Sequence, residues 1–183
     1  METVVEEQYI FTVDRFIIHR DYVGMKRGYK NDIALIRLDR EIDFESENTE
    51  VSCVCEPYPL ELLNTNQCIV LGWGQTTADS ESSLSKQLLQ VGLPILSDAY
   101  CSQLERDFSS HWALCAGFTD EDNKDACKGD SGGPLLCPLA ETSEVYSLAG
   151  IVSHGVGCGS RLHPGYYTRV DRFIRWIEAQ SGE

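Results

Sequence analysis

Eight cysteines in a chain of 183 residues constrain this fold more than any other feature. They stand at positions 53, 55, 68, 101, 115, 127, 137 and 158. The spacing contains no paired C-x-x-C modules of the zinc-binding kind, and no histidine sits at ligand spacing beside them. Disulfides are the better reading, and they point to an oxidising compartment. Cross-links of this density suit a chain of many short elements.

The length supports one substantial domain, or two small ones sharing an interface. Apolar residues make up 42% and charged residues 24%, ordinary for a globular protein. A formal net charge of −14 argues against nucleic acid as a partner, because phosphates repel such a surface. The same charge favours cationic substrates or serves solubility alone. No apolar run approaches the ~18 residues of a membrane span. The first residues, METVVEEQYIF, are acidic and lack a basic stretch followed by an apolar one, so they do not read as a secretion signal. Beside eight cysteines, that start predicts a missing beginning of the parent protein, or an alternative start.

Short runs rich in Val, Ile, Leu and Tyr recur between turn residues: 9–13, 16–18, 33–38, 68–71, 87–93, 134–136, 145–151 and 165–170. Many short strands with frequent turns predict an all-β barrel or sandwich. The polar, Pro-bearing segment 41–59 reads as a connection between two β units. In 170–180 the apolar residues Val170, Phe173, Ile174 and Ile177 follow i, i+3, i+4, i+7, one face of an amphipathic helix. The expectation is strands throughout and one closing helix.

The strongest chemical signal is Gly129-Asp130-Ser131-Gly132-Gly133-Pro134. A serine flanked by glycines can sit on a tight turn with its hydroxyl exposed. The turn can also aim backbone N–H groups at one point. A bare G-x-S-x-G is often a loop without chemistry. The acid before the serine, the second glycine and the proline make this match far more specific.

GDSGGP resembles the nucleophile motif of the chymotrypsin/trypsin family of serine proteases, and the resemblance runs over nearly the whole chain. Asn31-Asp32-Ile33-Ala34-Leu35 is similar to the family's N-D-I-A-L strand. Gly72-Trp73-Gly74, Cys115-Ala116-Gly117, Ile151-Val152-Ser153 and Pro164-Gly165 match further family segments in order. The resemblance implies a chymotrypsin-like double six-stranded β-barrel with a C-terminal α-helix, its first barrel incomplete. On that reading residues 1–58 are the remainder of the first barrel and a linker. Residues 59–168 are the second barrel, and 169–183 the helix.

The resemblance also assigns roles. Ser131 is the nucleophile, and Asp32 orients and stabilises the catalytic imidazole. The backbone N–H groups of Gly129 and Ser131 form the oxyanion hole, where one lost donor costs about 100- to 1,000-fold in rate. Asp125 forms the base of a pocket for Arg or Lys, with Ser153, Gly155 and Gly165 lining it. Taken alone, Asp125 merely follows the acidic run Asp120-Glu121-Asp122, and a surface aspartate is the ordinary reading. Its distance from Ser131 favours the pocket. His154 stands where the family usually has Trp. Disulfides are implied between Cys68 and Cys137, Cys101 and Cys115, and Cys127 and Cys158. Cys55 resembles a site that bonds a pro-segment, and Cys53 has no family counterpart.

Two family segments are missing from this sequence: the T-A-A-H-C motif that carries the general base, and the I-V-G-G start. Four histidines are present, and none is expected to be the base. His19 lies in a structural loop, His111 in a disulfide loop, His154 in the pocket wall and His163 in a turn. Without a partnering N-terminal amine, Asp130 is expected to be a buried, unpaired carboxylate, leaving the oxyanion hole disordered. The opening strands of the first barrel are expected to be absent, with unpaired edges. The family's calcium loop falls near Glu6 and Glu7 but looks cut, so no metal is expected, and no cofactor.

The expected function is a serine endopeptidase cleaving after Arg or Lys through an acyl-enzyme, this chain being inactive by itself. The competing reading is a non-catalytic pseudoprotease acting as a binding module. Expected partners are protein or peptide substrates bearing Arg or Lys, and serine protease inhibitors. The expected location is extracellular.

Overall fold

Most of the apolar runs become antiparallel strands in two sheets; the run 9–13 does not, since residues 10–12 are irregular and only Val13 enters a strand. The computed structural model describes residues 10–44, 51–54, 57–76, 84–120, 124–140 and 144–182. β1 (Val13–Ile18) and β2 (Ala34–Leu38) form a two-stranded sheet, with Asp14 bulged between Val13 and Arg15. The second sheet contains β3 (Cys68–Gly72), β4 (Leu89–Leu93), β5 (Ala113–Ala116), β6 (Pro134–Pro138), β7 (Tyr146–His154) and β8 (Gly165–Arg169). Their order is β4-β3-β6-β7-β8-β5. A bridge between Ile95, just past β4, and Ala116 at the end of β5 joins the outer strands, so the sheet curls back on itself. Closure removes free edges, which stabilises a sheet of short strands.

The core sits inside this second sheet. Val70, Leu93, Leu114, Leu135, Ala149 and Tyr167 meet there, with Leu60 and Leu63 entering from the connecting segment. Ser147 Oγ accepts the Tyr58 N–H at 2.9 Å, fastening the connection to β7. Bonded sulfurs join Cys68 to Cys137, Cys101 to Cys115 and Cys127 to Cys158. Cys53 is free and exposed; Cys55, Glu6 and Glu7 lie outside the described residues.

These sheets agree with the chymotrypsin-like, mostly β architecture expected from sequence. Among the described residues the first unit contributes only two strands. Three details differ from expectation. α1 (Asp98–Leu104) was not foreseen among the strands. Its cue is Ser97, whose hydroxyl oxygen accepts the Tyr100 N–H as an N-cap. β5, the four-residue ALCA, was missed because four apolar residues carry too little periodicity. The closing segment is a 3-10 turn at Val170–Arg172 followed by α2 (Ile174–Ser181), because Phe173 leaves helical geometry at φ −111°.

Candidate active site

Ser131 stands on the turn between the 127–130 loop and β6. The Gly133 N–H donates to the Asp130 carbonyl at 2.8 Å and the Gly132 N–H to the Val152 carbonyl at 2.9 Å. These bonds fold the chain tightly around Ser131 and leave it exposed. Gly129 has φ +101°, a backbone conformation that side chains disfavour. Ser131 has no hydrogen-bonded histidine among the described residues.

Asp130 corrects the sequence expectation of an unpaired carboxylate. Its Oδ1 accepts the Gly74 N–H at 2.7 Å and its Oδ2 accepts the Cys127 N–H at 2.9 Å. Two backbone donors compensate the burial of the charge. The half-buried carboxylate is therefore hydrogen-bonded rather than orphaned.

Asp32 reaches the site from the two-stranded unit but is held by the barrel. Ser153 Oγ donates to Asp32 Oδ2 at 2.7 Å, and Thr168 Oγ1 donates to the Asp32 carbonyl at 2.6 Å. A β-bulge explains the first contact. Val152 pairs with Tyr167 and His154 with Tyr166, so Ser153 is the extra residue, and its side chain is re-aimed at Asp32. Asp32 and Ser131 line one cavity of about 480 Å³, walled by Phe16, Ile18, Tyr22 and Ile151.

A second cavity, of about 260 Å³, opens beside Ser131 and contains Asp125, Ser153, Gly155 and Gly165 in its lining. Asp125 Oδ1 accepts the Ala126 N–H at 2.8 Å, and Oδ2 accepts the Gly159 N–H at 3.1 Å. Burial pushes its pKa up to about 6, against the lowering effect of those two N–H groups, with a further upward push from Asp130. A cation in the cavity would reverse the first effect by restoring a partner to the charge. A side chain at position 165 would bring its Cβ within 2.9 Å of Asp125 Oδ1, so the cavity needs glycine there.

The four histidines have other partners. His19 packs against Phe173 and Trp176, and His163 closes a turn with Ser160. The His111 N–H contacts Ser109 Oγ at 3.4 Å, in the loop before β5. His154 lines the Asp125 cavity beside Tyr29, and Glu105 bonds its ring. Tyr29 and Glu105 were not singled out from sequence, since neither lies in a recognisable motif. Among the described residues no group of three or more His, Cys, Asp or Glu side chains is arranged to hold a metal. No helix among them is long and apolar enough to cross a membrane.

A mostly β protein with a curled six-stranded sheet, a short closing helix and a serine turn beside two cavities defines the serine-protease class of architecture. The chain belongs to the trypsin family, whose family model, described as Trypsin, matches residues 1–177. It is 37% identical over 172 residues to phenoloxidase-activating factor 1 of Holotrichia diomphalia, covering 91% of this chain and 44% of that protein. It is 33% identical over 180 residues to tissue-type plasminogen activator of Mus musculus, covering 94% and 31%. With coagulation factor XII of Cavia porcellus it shares 39% over 161 residues, covering 84% and 26%. The chain thus spans less than half the length of each of these relatives.

Proposed function

We propose that this chain is the nucleophile-bearing part of a trypsin-like serine endopeptidase selective for Arg or Lys. The observation that carries the reading is the half-buried Asp125 carboxylate in a cavity whose lining also includes Ser131. A cavity that ends in a carboxylate recognises a long cationic side chain, and Ser131 then lies beside the carbonyl to be attacked. Ser131 serves as nucleophile, Asp32 as the orienting carboxylate, and the N–H groups of Gly129 and Ser131 as the oxyanion hole. The domain division at 58/59 and 168/169 and an extracellular site of action belong to the same reading. So does selection of protein substrates and inhibitors by an Arg or Lys side chain.

Hydrolysis needs a base to take the Ser131 proton, and no histidine of this chain bonds Ser131 among the described residues. The isolated 183-residue chain should therefore bind the cationic side chain without turning it over at protease-like rates. Calorimetry with an arginine amide and a phenylalanine amide tests this. The expected result is arginine-selective binding that strengthens as pH rises through about 6, where Asp125 ionises, and that Asp125→Asn abolishes. Equal binding of the phenylalanine compound would overturn the selectivity. Rapid hydrolysis of the arginine amide, lost in Ser131→Ala, would overturn the inactivity.

A further inference from the structure

His154 follows the bulged Ser153 on β7, and two tyrosines fix its ring. The Tyr29 ring stacks at 4.5 Å between centroids and the Tyr166 ring at 5.1 Å, tilted by 25° and 11°. With the plane held, both ring nitrogens meet definite partners. Nδ1 lies 3.1 Å from Ser153 Oγ. Nε2 lies 3.2 and 3.3 Å from the two carboxylate oxygens of Glu105. Since Ser153 Oγ is 2.7 Å from Asp32 Oδ2, Glu105, His154, Ser153 and Asp32 form one unbranched chain. Asp32, at its far end, shares a cavity with Ser131.

This chain has three links, and each link needs one proton between its heavy atoms. Ionised Glu105 and Asp32 bring none. The Ser153 hydroxyl brings one and a neutral imidazole brings one. Whichever ring nitrogen carries that proton, two protons cannot fill three links. If Nε2 carries it, Ser153 either faces the Nδ1 lone pair or turns to it and abandons Asp32. If Nδ1 carries it, a lone pair faces the Glu105 carboxylate. A third proton closes the chain. Imidazole is more basic than either carboxyl by about two pH units in unperturbed peptides, so the ring is its natural seat.

The groups facing His154 are consistent with that placement. Tyr29 and Tyr166 cover its faces, Glu105 lies at one end, and Asp32 lies at the other through Ser153. Burial, then Glu105 and Tyr100, push Tyr166 up to about 12. Tyr22, near Asp32, is also raised, by burial and then by Asp32 and Tyr29. Neither tyrosine adds charge where an imidazole titrates. Asp125 is a further acid in the lining of the same cavity.

We propose that His154 is a positioning residue: its doubly protonated ring, anchored by Glu105, donates to Ser153 and commits the Ser153 hydroxyl to Asp32. When Nδ1 gives its proton to water, its lone pair competes with Asp32 for the Ser153 hydroxyl, which is then no longer committed to Asp32. The consequence for hydrolysis rests on the reading of Asp32 as the orienting carboxylate. The hydrogen-bond chain itself does not.

Nuclear magnetic resonance on the isotopically labelled full chain tests this without any need for activity. Ring nitrogens of His154 and the carboxylate carbon of Asp32 are followed from roughly pH 5 to pH 9, the range that spans imidazole titration. At the acid end both His154 nitrogens should give N–H-type shifts, and the Asp32 carbon should step at the midpoint of the His154 ring. Ser153→Ala should leave His154 titrating and erase that step. Glu105→Gln should erase it for a different reason. The amide donates to Nε2, so a neutral ring protonated on Nδ1 already closes the chain. An Asp32 carbon that ignores the His154 titration in the unsubstituted protein would overturn the proposal. So would a step that survives Ser153→Ala unchanged. Absent arginine binding with an intact Asp32 step would sink the Arg or Lys selectivity and leave this proposal standing.

Discussion

The six-stranded and the two-stranded sheets carry the same kinds of side chains and bury them very differently. Every residue of β5 and β8 is buried, whereas no residue of β1 or β2 is. Leu114 and Tyr167 are 1% exposed, while Phe16 and Ile18 are 65% and 62% exposed. The three disulfides among the described residues lie in the six-stranded unit. An apolar strand is buried only as far as neighbouring elements cover it, so pattern nominates a core and packing selects it. The site straddles this contrast. Asp32 comes from the sparsely packed unit, and Ser153 and Thr168 of the densely packed one hold it.

The largest effect that would sharpen the contrast is loss of the Cys68–Cys137 bond. Its loop is long, with a sequence separation of 69. Replacing both cysteines with alanine should cost about 4 kcal/mol by the loop-entropy argument, read as a lower urea midpoint. A loss below about 1 kcal/mol would mean that the barrel holds without its cross-links.

Core truncation comes next and compares the two sheets directly. Leu114→Ala should destabilise by about 3 kcal/mol, through lost transfer energy and a residual cavity. Phe16→Ala should change stability by no more than about 0.5 kcal/mol, as expected for an exposed position. Equal losses would break the comparison, because Phe16 would then have a partner in solution.

Asp125 tests the functional side of the dense unit. Its folded pKa of about 6 lies above the ordinary 3.8, so the folded protein binds more protons between those values. Stability is therefore greatest below pH 3.8 as far as this group is concerned, and it falls as pH rises through about 6. Asp125→Asn should remove that decline, but its amide group deprives the Ala126 or Gly159 N–H of an acceptor. The net gain at neutral pH should therefore fall well short of the roughly 3 kcal/mol that the shift alone implies. Melting curves across the window check it. An unchanged pH slope would show that Asp125 is better solvated than its burial implies.

The smallest effect concerns the seam between the units. Thr168→Val keeps shape but deletes the donor to the Asp32 carbonyl, and should cost about 1 kcal/mol. Amide exchange should quicken selectively around 31–38. Uniform quickening of the whole chain would mean that the bond does not tie the units together.

Much of this was legible in the residues. GDSGGP announced its turn because a tight turn is local, and glycine leaves few alternatives. The strand runs were readable to within a few residues except 9–13, where only Val13 belongs to a strand. The closing helix was readable by its apolar face, apart from the break at Phe173. What escaped notice was short or non-local. The ALCA strand is buried at every position and shows no alternation. Helix α1 rests on one capping serine. His154 and Glu105 are 49 residues apart, and no spacing rule links them.

The sequence by itself determined the family and the mostly β class and nominated the residues proposed for chemistry, because these follow from motifs and local conformational preference. Only the tertiary structure decided how those residues are partnered. It supplied Asp130 with two backbone donors where an orphaned charge was expected. A single bulge turned Ser153 toward Asp32, across a sequence separation of 121. Charge and hydrogen-bond energies depend on distance and burial, and both arise only when remote segments pack.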